Sequence, residues 1–228
     1  MNEVLLKGVV GSTAYGLAHE GSDVDYLGVF AAPTREVLGL HPGKDSVVHK
    51  DPDTTLHEAK KFVQLVLNGN PSVSELLWLD EYEKRTYLGA HLVDIRKSFL
   101  SAPRVRDAYM GYATSQFVRL IARDDGSFSA DTRKRSEKHA RHLVRLVEQG
   151  FRLYVHGELK VNLTGYLDPE WVFDMGRKIA DDPRVAAKYM VEARERFDGA
   201  KTCLPGYPDE APVEQWLLEV RKKYWTEK

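Results

Sequence analysis

Gly11-Ser12-Thr13-Ala14-Tyr15-Gly16, and a short polar interval later Ser22-Asp23-Val24-Asp25-Tyr26-Leu27-Gly28-Val29, are the two segments on which the reading of this chain turns. The first follows an apolar run at residues 4–10, Val-Leu-Leu-Lys-Gly-Val-Val, that reads as a buried strand. The spacing predicts that this strand ends at Gly11-Ser12 and that a short helix follows over residues 13–18, with Ser12 as its N-cap. A glycine at such a turn lets a phosphate approach the backbone, whose N–H groups point outward as an anion cradle. Residues 24–31 read as the next strand, closed by Pro33. Asp23 and Asp25, two residues apart, are expected to project from one face of it. Two ionised carboxylates held side by side repel, so the arrangement calls for a cation between them. Magnesium meets that need, since it accepts a few carboxylates together with substrate phosphate oxygens and water.

Working outward, residues 46–50 read as a third strand turned by Asp51-Pro52, and residues 53–55 as a short fourth strand. An amphipathic helix is expected over residues 56–68, stopped by Asn68-Gly69-Asn70-Pro71. Beyond Ser72 helical spacing dominates, at residues 73–79, 87–100, 104–122, 132–154, 170–180, 186–197 and 213–224. The best internal loop is Asp124-Asp125-Gly126-Ser127-Phe128-Ser129, and Ser101-Ala102-Pro103 marks a boundary near residue 100. The expected fold is α+β: a small mixed β-sheet flanked by helices over residues 1–100, then a mainly α-helical domain over residues 101–228.

Composition narrows the chemistry. The chain has 228 residues, 43% of them hydrophobic, which is enough for a substantial core. Cys203 is the only cysteine, so an intramolecular disulfide and a multi-cysteine zinc site are both excluded. His41, His49, His57 and His156 lack paired ligand spacing, which leaves oxygen ligands and hard cations. No secretory signal or bilayer-length apolar run is visible, so a cytoplasmic protein without membrane contact is expected. The net charge of −1 argues against nonspecific coating of nucleic acid. The balance is uneven, however: residues 1–100 hold 10 Lys/Arg against 14 Asp/Glu, and residues 101–228 hold 23 against 20. Arg133, Lys134, Arg135, Lys138, Arg141 and Arg145, with His139 and His142, concentrate positive charge in one predicted helix. Lys138, Arg141, His142 and Arg145 share a face at i, i+3, i+4 and i+7.

Gly11-Ser12, ten residues and then Asp23-Val24-Asp25 resemble the signature of the DNA polymerase beta-type nucleotidyltransferase superfamily. A narrower resemblance, to its RNA repair pathway (RlaP-like) members, is carried by Gly11–Ala18, Ser22–Phe30, His57-Glu58-Ala59-Lys60-Lys61-Phe62 and Asn70-Pro71-Ser72-Val73-Ser74-Glu75-Leu76-Leu77-Trp78. Lys138–Leu146 and Gly157-Glu158-Leu159 extend it into the rear half. The resemblance implies a catalytic sheet that binds two Mg²⁺ or Mn²⁺ ions through Asp23, Asp25 and a third carboxylate on a neighbouring strand. Asp53 is the first candidate for that third position, presented by an antiparallel neighbour; Glu58 follows, then Asp51. It also implies nucleotide contacts at Gly11, Ser12, Tyr15 and Ser22, and at Lys138, His142 and Arg145 on the basic helix. The implied reaction moves a nucleoside monophosphate from an NTP to an acceptor hydroxyl, first of all on RNA. A protein or small-molecule hydroxyl, or noncatalytic nucleotide binding, are the alternatives.

Overall fold

The computed structural model describes residues 2–19, 21–122 and 130–225. The loop expected over residues 124–129 lies outside them.

Five strands form one mixed sheet in the order β3-β4-β2-β1-β5. β1 (Glu3–Val10) runs antiparallel to β2 (Asp25–Ala31), pairing Val10 with Asp25 at one end and Glu3 with Ala31 at the other. β3 (Ser46–Lys50) and β4 (Asp53–Glu58) form a hairpin, and β4 pairs with β2 in parallel, Tyr26 beside Thr54 and Phe30 beside Glu58. β5 (Lys84–Arg85) adds a two-residue edge to β1. Central β2 is paired on both edges, and its residues Leu27 to Ala31 are all buried, which is why it reads as a continuous apolar run. β3 sits at the sheet edge with Val48, His49 and Lys50 exposed. The fourth strand is longer than its sequence suggests: residues 56–58 continue the ladder instead of opening a helix. Leu56 and His57 pair with Val47 and Ser46, and the long-range ladder outweighs local helical spacing.

Helix α1 (Gly11–Ala14) and α2 (Thr34–Leu38) are short connectors. α3 (Ala59–Leu67) buries Ala59, Phe62, Val63 and Val66, the i, i+3, i+4, i+7 stripe of a helix laid on a sheet. The Asn70 side chain accepts from the Val73 amide at 3.1 Å, and Pro71 occupies the first turn of α4 (Pro71–Ser74). A 3-10 turn (Glu75–Trp78), α5 (Tyr87–Asp94) and a second 3-10 turn (Arg96–Phe99) complete this stretch.

The chain divides into two compact units. Residues 101–206 make an all-helical unit of α6 (Ala102–Ile121), α7 (Ala130–His156), α8 (Pro169–Asp181) and α9 (Pro183–Gly199). α7 buries Ala140, Leu143, Val144, Leu146 and Val147. The other unit is residues 1–100 together with 207–228, so residues 207–228, expected in the helical domain, lie with the sheet. α10 (Glu210–Lys223) belongs to the sheet unit because its apolar stripe is part of that core. Trp216 is fully buried there beside Leu5, Leu88 and Leu92, and its indole N–H donates to the Leu88 carbonyl at 2.8 Å. Burial of an indole of this kind stabilises by roughly 3 kcal/mol or more. Among the described residues, no helix is long and apolar enough to cross a membrane.

Candidate functional site

Gly11 ends β1 with φ +72°, a left-handed backbone that glycine adopts without penalty. A Cβ placed on it would overlap Oδ2 of Asp25 and lie 3.2 Å from that residue's Cγ. The turn and the Asp25 carboxylate are therefore in contact, as the pairing of Val10 with Asp25 requires. Helix α1 begins at Gly11, two residues before the position expected, and its N-cap is Val10, which has no side-chain acceptor. Ser12 is thus inside the helix instead of capping it, and its carbonyl accepts from Leu17 N at 2.9 Å. Gly16, at φ +71°, ends the turn before residue 18. As an expected outcome, Gly11→Ala costs about 1–2 kcal/mol for the left-handed backbone. It also displaces the Asp25 carboxylate, so the loss in urea unfolding exceeds the backbone cost alone; a loss confined to that cost would refute the contact's importance.

Asp25 is the first residue of β2 and is half-buried. Asp23 stands two residues earlier, exposed and ahead of the strand, so strand alternation governs Asp25 but reaches Asp23 only at its margin. Ser22 closes the preceding turn: its hydroxyl accepts from His19 N and its own amide donates to His19 O, both at 2.9 Å. Asp53 is the exposed first residue of β4. The neighbour that carries it is parallel to β2, not antiparallel as expected. Parallel pairing aligns like ends, so one step before the Tyr26–Thr54 pair Asp25 and Asp53 face the same side, on strands about 4.8 Å apart. Asp51 is exposed in the β3–β4 turn.

Glu58 has a different setting. Its carboxylate caps α3 by accepting from Lys60 N at 2.8 Å, and takes a two-pronged pair from Arg221 at 2.7 and 2.9 Å. The residue is buried, and it lies at the far end of β4 from Asp53. Tyr15, expected to touch nucleotide, is buried too, and its hydroxyl donates to Glu75 at 2.7 Å. Glu75, itself 1% exposed, thereby ties the turn after β1 to the 3-10 turn after α4. Sequence reasoning missed the Arg221 and Glu75 contacts; both join residues at least 60 positions apart, and no local spacing encodes them.

The donor set at this end of the sheet, Asp23, Asp25 and Asp53, is oxygen-only and suits a hard cation. Among the described residues, no three His, Cys, Asp or Glu side chains are gathered into a ligand group.

On α7 the expected single cationic face divides. Lys138 is exposed, His142 is half-buried and Arg145 is 1% exposed. Arg145 donates to Gln149 Oε1 and, at 3.1 Å, to Nδ1 of His142, while Gln149 donates to the carbonyls of Lys160 and Val161. Arg145, expected to touch nucleotide, is thus buried inside the helical unit with these internal partners. Because Nδ1 of His142 accepts, its proton sits on Nε2. Burial, then Arg145, His139, Lys138 and Arg119, push the His142 pKa down to about 3 from an ordinary 6.5. Below pH 6.5 the unfolded chain binds a proton that the native state refuses, so this group lowers stability as pH falls from 6.5 toward 3. Between pH 7 and 4.5, wild type is expected to lose on the order of 2–3 kcal/mol more than His142→Gln in urea unfolding. Equal losses would show that the imidazole is protonated when folded.

A family model described as the RNA repair pathway DNA polymerase beta family (RlaP) matches residues 2–167, a span that takes in the Gly11 turn, both strand-end aspartates and the whole of α7. None of the curated proteins compared with the chain matches it. With the match covering well over half of its 228 residues, the chain belongs to the RNA repair pathway DNA polymerase beta family, whose members are DNA polymerase beta-like nucleotidyltransferases.

Proposed function

We propose that the protein transfers a nucleoside monophosphate from an NTP to a hydroxyl of RNA and releases pyrophosphate. The observation that supports this reading is the contact between the left-handed Gly11 turn and the Asp25 carboxylate, which brings glycine backbone beside an acidic strand end. Asp23, Asp25 and Asp53 are the residues that would hold Mg²⁺ or Mn²⁺, two ions in all. The metal, when bound, supplies charge neutralisation on the phosphates and a lowered pKa for the acceptor hydroxyl. The backbone amides of Gly11 and Ser12 orient the triphosphate so that the acceptor oxygen meets the α-phosphorus in line with the departing pyrophosphate. A new P–O bond forms as the α–β bridge breaks, and the hydroxyl proton leaves toward the Asp53 side of the site. Glu58 is assigned a structural part, because its oxygens already cap α3 and pair with Arg221. Tyr15 acts by holding the turn through Glu75.

The acceptor is tested by incubating the protein with Mg²⁺ or Mn²⁺, each α-labelled NTP in turn, and total RNA, total protein or neither. Label in RNA is the expected result. Label in polypeptide alone would replace the RNA acceptor by a protein hydroxyl, and bound NTP without transfer under any condition would overturn catalysis.

A further inference from the structure

In the helical unit, one edge of the α6–α7 pair gathers positive charge from both helices. His139 Nδ1 on α7 donates to Gln116 Oε1 on α6 at 2.7 Å, which fixes the register between them. Helical spacing then puts Tyr112 and Arg119 on the Gln116 side of α6, at i−4 and i+3. Arg135, Lys138 and His142 follow one another along α7 at i, i+3 and i+7. Arg119, Arg135 and Lys138 are exposed, and among the described residues none of the three pairs with a carboxylate. Their neighbours differ in this respect: Glu137 is occupied by Arg133 and Arg141, and Arg133 also reaches Asp181. The charge is concentrated enough to be felt inside the unit. Arg119 from α6 and Lys138, His139 and Arg145 from α7 all disfavour protonation of His142, and no carboxylate figures among the influences on it.

We infer that this edge, with Arg119, Arg135 and Lys138 as its phosphate contacts and Tyr112 as a stacking ring, binds a single-stranded segment of the acceptor RNA. Unpaired cations on a solvent-facing edge match a phosphodiester chain, whose binding releases counterions for each phosphate neutralised. Tyr112, 37% exposed, stands on the same side of α6 as Arg119, where an unstacked base of a single strand would meet it and a duplex would not. The inference rests on RNA being the acceptor, and it extends that reading by naming side chains that hold the strand.

The test is binding of a labelled single-stranded oligoribonucleotide to the full chain across a salt series. Wild type is compared with Arg119→Ala/Arg135→Ala and with a control, Arg194→Ala/Lys201→Ala, that removes two exposed cations elsewhere. Each single-strand phosphate contact contributes a slope of about −0.7 in log K against log salt. Losing two should therefore flatten the slope by about 1.4 and weaken binding about 25-fold at 0.1 M salt, while the control matches wild type. NTP binding, measured separately by the same proteins, should be unchanged in all three. An unaltered slope in the first variant, an equal loss in the control, or binding of anionic vesicles in place of RNA would overturn the inference. Absence of nucleotidyl transfer by a wild type that binds RNA would instead count against the catalytic reading and leave this one standing.

Discussion

Asp25→Asn is expected to lower NMP transfer by at least about 10³-fold at saturating NTP and metal while leaving the urea midpoint close to that of wild type. The substitution keeps the side chain's size but removes the charge that faces the Gly11 turn, where the structure puts a carboxylate in contact with glycine backbone. A group that stabilises charge only during reaction typically contributes 10²–10³, roughly 3–4 kcal/mol; one that also holds a cation should exceed this. The measurement is single-turnover transfer of an α-labelled NTP, with circular dichroism as the check on folding. Transfer within tenfold of wild type would remove Asp25 from the chemistry.

The second large effect concerns the frame around the site. Arg221→Ala is expected to destabilise the sheet unit by about 3–5 kcal/mol, because it leaves Glu58 charged and buried without its partner. The side chains of Arg221 and Glu58 are only 14% and 8% exposed, so solvent does little to screen the loss. The pair fastens α10 to the junction of β4 and α3, where the Thr34 hydroxyl also donates to the Arg221 carbonyl and Thr34 N to the Tyr224 carbonyl. Replacing both members, Arg221→Met with Glu58→Gln, should recover much of the stability, since the cost comes from an unpaired charge and not from the absence of a salt bridge. Urea unfolding measures both. A single variant within 1 kcal/mol of wild type would show that water reaches Glu58.

Elements whose signal is local were legible in the sequence. β1 and β2 announced themselves through apolar runs bounded by glycine, and α3 through Phe62, Leu65 and Val66, because burial on one face writes a period into the chain. The extension of β4 through Glu58 was not, since Leu56-His57-Glu58 has no strand character of its own and is held by β2 and β3 on either side. The return of α10 to the sheet unit was equally hidden: Trp216 shows an amphipathic helix, and nothing nearby says which core it enters. At the site, Gly11 and Asp25 could be read as neighbours because a short connection joins antiparallel strands, whereas the direction of β4 beside Asp25 depended on a crossover that spacing does not encode. The basic helix shows the limit of counting charges. Lys138, His142 and Arg145 lie near one another on a helical wheel, yet packing against the rest of the helical unit buries the last and keeps the second neutral.

Central to the whole account is the gathering of a divalent cation and a triphosphate by the Gly11 turn and the carboxylates at its side. Electron paramagnetic resonance of Mn²⁺ titrated into the protein with a nonhydrolysable NTP reads this directly. Wild type should take up Mn²⁺ tightly only when the nucleotide is present, and Asp25→Asn should leave the ion free in solution. Mn²⁺ uptake by the variant equal to that of wild type, or uptake indifferent to nucleotide, would contradict the account.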